Sequence, residues 1–198
     1  MPNDISIVSK TVPAHVKESN GLGNENISAD HMMVPRVKQL QRVNNEVDEN
    51  HSDYIEGAKV GDFINTVPKE NYGQHLYVIN VHFKEEYVVW GKREKGGGLI
   101  GSFRSKDEAI EGIEEFGKNV DDCEITQTQT HTLLRVDEST GEVSDIPFLF
   151  DCASSKLRVS REWNTQIAKL GGDRFSSLWK MESVETANKV GQKFMNIS

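Results

Sequence analysis

The sequence predicts an α+β domain: a mostly antiparallel curved sheet or small barrel with two helices, preceded by an N-terminal arm. Three observations predict it. Several segments alternate apolar and polar residues with the two-residue period of a half-buried strand. Only two segments carry an apolar stripe at helical spacing. The order of elements is several strands, a helix, a hairpin, a helix and a strand, which lacks the regular alternation of parallel βαβ units.

Residues 1–33 are rich in Asn, Ser, Asp and Gly and poor in large apolar side chains. They read as a disordered or extended arm, and residues 34–198 as a single domain. "VPRVKQLQ" follows Pro35 with an alternating pattern and reads as a short strand, as does "AKVGDFINTV", where Gly61 marks a bulge or a close approach. The polar stretch between them is a loop. In "QHLYVINVHF", Tyr77, Ile79, Val81 and Phe83 alternate on one face. "KEE" reads as a short connection and "YVVWGKRE" as a second strand, the two forming a hairpin.

Ser105-Lys106-Asp107-Glu108 is a capping box that opens a helix with Ala109, Ile110, Ile113 and Phe116 as its apolar stripe, ended by Gly117. "EITQTQTHTLLRV" is a long strand with Thr126, Thr128, Thr130 and Thr132 on one face and Gln127, Gln129 and His131 on the other. After the turn "DESTGE" comes a return strand whose Pro147 suggests a sheet edge or a bulge. A second helix runs from about Ser155 to Leu170, closed by Gly171-Gly172. Val159, Trp163, Ile167 and Leu170 fall within an arc of about 80° on it. Arg158, Arg161, Thr165 and Lys169 lie opposite. Strand-like pieces follow at 175–184 and 193–197.

Charge is unevenly distributed. The net charge of −8 speaks against a generally adhesive nucleic-acid binder. Residues 106–152, however, hold 3 basic and 13 acidic side chains, while residues 153–198 hold 8 basic and 4 acidic. One face can therefore be acidic and another basic. No apolar run approaches the ~20 residues of a membrane span, and no secretory signal is legible at the N-terminus. Cys123 and Cys152 are the only cysteines. They suggest reduced thiols, not a disulfide scaffold or a zinc site.

Catalytic signals are weak. The six histidines form no His-Glu-x-x-His motif, and no Gly-x-Ser-x-Gly elbow occurs. Gly96, Gly98 and Gly101 have dinucleotide-fingerprint spacing, but the helix opens only at Ser105 and no βαβ unit surrounds them. No enzyme, cofactor or metal is expected. The stretch offers instead aromatic side chains interleaved with cations: Tyr87, Trp90, Lys92, Arg93, Lys95, Phe103 and Arg104. Bases stack on rings while cations follow phosphates, so this composition suits single-stranded nucleic acid. A core tryptophan beside a solvated turn fits the same residues. The basic side of the second helix, with Arg158, Arg161 and Lys169, is a further candidate phosphate surface or an ordinary solvated face.

The segments "VPRVKQLQ", "GAKVGDFINT" and "YVVWGKREKGGGLIG" resemble an uncharacterised group of tailed-bacteriophage proteins, themselves similar to phage single-stranded-DNA-binding and replication-associated proteins. The resemblance covers roughly residues 34–105, with a weaker echo over 154–197. It implies an OB-like barrel. Tyr87, Trp90 and Phe103 would stack on bases, and Lys92, Arg93, Lys95 and Arg104 would hold phosphates, helped by Arg158, Arg161 and Lys169. It further implies a non-catalytic role in replication or recombination in the host cytoplasm, alongside phage replication proteins and compatible with a homo-oligomer. Phage single-strand binders often end in an acidic tail, whereas no acidic residue follows Glu185 here. The competing expectation is a virion structural or accessory protein whose N-terminal arm docks on a neighbouring subunit.

Overall fold

The structure is a computed structural model that describes residue 23, residues 25–28 and residues 31–198. The expected arm falls almost entirely outside the described residues. The chain divides into two compact units, Met1–Val34 and Pro35–Ser198. In the first, His31 N–H donates to Ser28 O at 3.0 Å and Ser28 N–H donates to His31 Nδ1 at 3.1 Å.

The second unit contains, among the described residues, eight strands and two α-helices. The strands are β1 (Val37–Gln39), β2 (Phe63–Asn65), β3 (His75–Gly91), β4 (Leu99–Phe103), β5 (Cys123–Val136), β6 (Phe148–Ala153), β7 (Leu178–Ala187) and β8 (Lys193–Ile197). The helices are α1 (Lys106–Glu115) and α2 (Lys156–Leu170). The main sheet has the order β6-β5-β3-β7-β8, with β4 also paired to β3. All of these named pairings are antiparallel, and β1 and β2 form a separate two-stranded sheet. The expected α+β class, two helices and antiparallel sheet are all present.

The expected hairpin between "QHLYVINVHF" and "YVVWGKRE" is absent: both belong to the single 17-residue strand β3. Lys84, Glu85 and Glu86 lie within it because they pair with Thr130, Gln129 and Thr128 of β5. A long partner strand outweighs the local turn signal of three charged residues. The register between β3 and β5 shifts between Asn80 and His82, and this bulge changes which side chains face the core. Before it, Leu76, Val78 and Asn80 point to the helix side. After it, Phe83, Tyr87 and Val89 do. The expected single face of Tyr77, Ile79, Val81 and Phe83 is therefore broken.

Both helices pack on that one side. The larger core joins Leu76, Val78, Leu133, Phe148, Phe150 and Met181 of the sheet to Trp163 of α2 and to Val37 and Phe63 of the small sheet. Ser105 caps α1 as expected, its Oγ accepting Glu108 N–H at 3.1 Å. Glu108 answers at Arg104 N–H (3.0 Å), one residue before the cap. Beneath α1, Ala109 and Ile113 meet Val89 and Cys123, but the expected stripe residue Phe116 is 64% exposed. Leu170 of α2 is likewise 65% exposed. Both sit at a helix end, where the sheet no longer lies beneath the apolar arc.

The sheet is not closed, so the small-barrel alternative does not hold. Its two outer strands are satisfied elsewhere. Gln39 Nε2 donates to Asn196 O (2.7 Å), and Gln41 both donates to Met195 O (2.9 Å) and accepts from Met195 N–H (2.8 Å). Along β6, which Pro147 immediately precedes, Leu149 N–H donates to Pro35 O at 2.9 Å. Edges capped in this way have little left to gain from meeting each other. Gly61 is the expected close approach: a Cβ there would lie 2.9 Å from both Met195 Cε and Ser183 Oγ.

Candidate functional site

The aromatic residues singled out in the sequence do not share a surface. In a strand, residues three apart lie on opposite faces. Tyr87 accordingly points under α1, where it packs with Phe103, its cross-strand partner. Phe103 lies so close to the helix that a Cβ on Gly112 would be 2.2 Å from its ring. Trp90 points the other way and is 46% exposed.

The cations are dispersed as well. Lys92 donates through Nζ to Asp121 O at 2.5 Å, and Lys95 pairs with Asp122 at 3.4 Å. Both belong to the tip of the β3–β4 hairpin. Gly96, Gly97 and Gly98 turn it with φ of +94°, +59° and +90°. This left-handed run is what glycine permits, so the triplet builds a turn. Arg93 and Arg104 are exposed and have no side-chain partner among the described residues. On the outer face of α2, Arg158 pairs with Glu162 at 3.6 Å, and Arg161 donates to Gln127 Oε1 at 3.3 Å. Together with Lys169 they border a shallow recess. It lies on the helix side of the sheet, away from Trp90.

The side without helices carries an arrangement visible only after strand pairing. Trp90, Val88 and Glu86 of β3 stand beside Thr126, Thr128 and Thr130 of β5, Asp151 and Ala153 of β6, and Leu99 and Ser102 of β4. They line a trough of about 480 Å³ that Arg36 closes at one side. Asp151 accepts Thr130 Oγ1–H at 2.8 Å through one oxygen and pairs with Arg36 through the other. Lys84 pairs with Glu86 at 2.9 Å. Arg36 and Lys84 are thus each matched by a carboxylate. The threonine row was legible as one face of a strand, but its neighbours on β3, β4 and β6 were not.

A second polar group is buried beneath α2. Asn80 Nδ2 donates to His131 Nδ1 at 2.9 Å, so His131 Nε2–H donates to Ser160 Oγ at 2.7 Å. The imidazole stacks on Trp163, with ring centroids 4.6 Å apart. Asn80, His131 and Ser160 are all fully buried. Burial, reinforced by the positive charge of Arg174, lowers the His131 pKa to about 4. Burial likewise pushes the thiol of neighbouring Cys152 up to about 12, and an un-ionised thiol is a poor nucleophile. A serine–histidine pair without an opening to solvent acts as a polar pin in the core.

Among the described residues, no helix is long and apolar enough to cross a membrane. A family model described as Pam3 phage gp34-like protein matches residues 6–198. No curated protein and no solved structure matches the chain.

Proposed function

The chain belongs to the Pam3 phage gp34-like family, and on that premise we propose a non-catalytic phage protein that acts by binding, with the helix-free face of its sheet as the ligand surface. One observation carries this reading. Trp90 stands 46% exposed on that face, at the end of a row of threonines, although the same strand buries Val89 completely. An indole held at a surface offers a flat apolar platform with a polar edge, which suits ligand contact better than packing. His131 and Ser160, both fully buried, are not open to a substrate.

Single-stranded DNA is the ligand that the composition of the β3–β4 region suggests. Trp90 supplies a stacking platform, and Arg93 and Arg104 are unpaired cations near the same end of the sheet. In this form the protein acts in the host cytoplasm beside replication proteins. Anisotropy of a labelled single strand of about 30 nucleotides, titrated at several salt concentrations, tests it. Salt-sensitive binding that Trp90→Ala abolishes supports DNA as ligand; no binding at low salt removes it.

A second reading, a virion structural or accessory protein, is favoured by the other end of the same face. There Ile79 stands between Leu134 and Leu178, and Leu178 is 57% exposed. Aliphatic side chains left in water on a sheet are a protein-docking feature. Leu178→Asp should leave a folded protein that no longer co-sediments with particles or self-associates. Unchanged sedimentation of that variant with particles would count against the face as a contact.

A further inference from the structure

Resting on the helix-free face as the ligand surface, we propose that the trough beside Trp90 takes a neutral carbohydrate chain and not a polyanion. Charge decides between the two. A phosphate backbone is held by cations in excess, because affinity comes from neutralising phosphates and releasing their counterions. The trough has no such excess. Arg36 is matched by Asp151 and Lys84 by Glu86, and Glu124 stands directly across from Trp90 on β5. The cations of the predicted DNA surface do not line the trough: Arg93 sits on the hairpin tip, Arg104 follows β4, and Arg158, paired with Glu162, lies with Lys169 on the far side of the sheet.

What the trough does present matches a sugar. The faces of a sugar ring carry C–H groups, and these pack on an exposed indole. Its rim carries hydroxyls that both donate and accept. Ser102 and Thr126 flank Val88 from either side, and their hydroxyls have no side-chain partner among the described residues. Each offers one donor and two acceptor sites. Each oxygen of Asp151 makes one contact, to Arg36 or to Thr130, and retains a second acceptor position. Beside it the Arg36 guanidinium keeps donors free, so the pair can meet two adjacent sugar hydroxyls as a fork. From Trp90 to Lys84 the strand advances about 20 Å, enough for several linked rings. Leu99, 59% exposed next to Trp90, extends the apolar platform.

The test uses the whole chain. Maltoheptaose, cellohexaose and chitohexaose serve as neutral probes, hyaluronan oligosaccharide as the acidic one and oligo-dT as the nucleic acid, each titrated by calorimetry. Binding of a neutral oligosaccharide is expected, with the same affinity from about 0.05 to about 0.5 M salt. Trp90→Ala should weaken it about tenfold, and Thr126→Val, which exchanges a hydroxyl for a methyl at nearly unchanged size and keeps the β-branch, should weaken it too. Circular dichroism and thermal melting confirm that both variants fold. If no neutral oligosaccharide binds, the carbohydrate assignment is overturned. If only oligo-dT binds, with steep salt dependence and loss in Trp90→Ala, the assignment falls while the face stands as the ligand surface. If a neutral oligosaccharide binds and neither variant changes it, both the assignment and the face fall.

Discussion

Among individual residues, His131 ties stability to pH. Its neutral form is buried between Asn80, Ser160 and Trp163, and its pKa is lowered from the usual 6.5 to about 4. Between those values the unfolded chain binds a proton that the folded chain does not. Stability is therefore complete above about pH 6.5 and falls with pH until about 4, by on the order of 3 kcal/mol. Urea titrations at several pH values check this: His131→Gln should lower stability at pH 7 but remove most of the slope in that window. An unchanged slope would mean that carboxylates alone set the acid sensitivity. Gly112 makes an opposite kind of prediction. Alanine is the better helix former by about 1 kcal/mol, yet its Cβ would sit 2.2 Å from the Phe103 ring. Gly112→Ala should destabilise by about 1–2 kcal/mol in chemical unfolding, because overpacking outweighs propensity.

At the scale of elements, α1 was the most legible part of the chain. Its cap, its apolar positions Ala109 and Ile113 and its terminating glycine are local features, and all are present, with Gly117 at φ +67°. Ser105→Ala should cost about 1 kcal/mol by removing the cap, measurable as a lower melting temperature. Strand β3 was the least legible. Three successive charged residues look like a turn, and only fourteen paired positions on β5 show that they are strand. The bulge at Asn80–His82 is equally invisible, since one inserted residue leaves no compositional mark but exchanges the two faces of everything after it. The separation of Tyr87 from Trp90, by contrast, was contained in the sequence: an odd spacing on a strand divides two residues between faces. Composition drew them together as one aromatic cluster, and periodicity already placed them apart.

For the whole molecule, the asymmetry of the sheet matters most: both helices cover one side and none of the described elements α1 or α2 covers the other. The two tryptophans Trp163 and Trp90 should report this directly. Trp163→Ala, in the core, should cost about 3–5 kcal/mol, while Trp90→Ala should cost under about 1 kcal/mol. Equal losses in denaturant titrations would show that the helix-free face is not free. The sequence by itself determined the α+β class, the two helices and the threonine face of β5, and narrowed the strand after Pro147 to a sheet edge or a bulge. Each follows from a local rule: residue period, capping, or proline's missing donor. It also determined the phage family, through similarity along the chain. Tertiary structure alone decided that the sheet stays open, that β3 is one strand, and that Trp90 shares a trough with Thr126, Ser102, Asp151 and Arg36. Those outcomes depend on register between strands far apart in the chain, and register is set by the summed burial of both partners, which no single segment records.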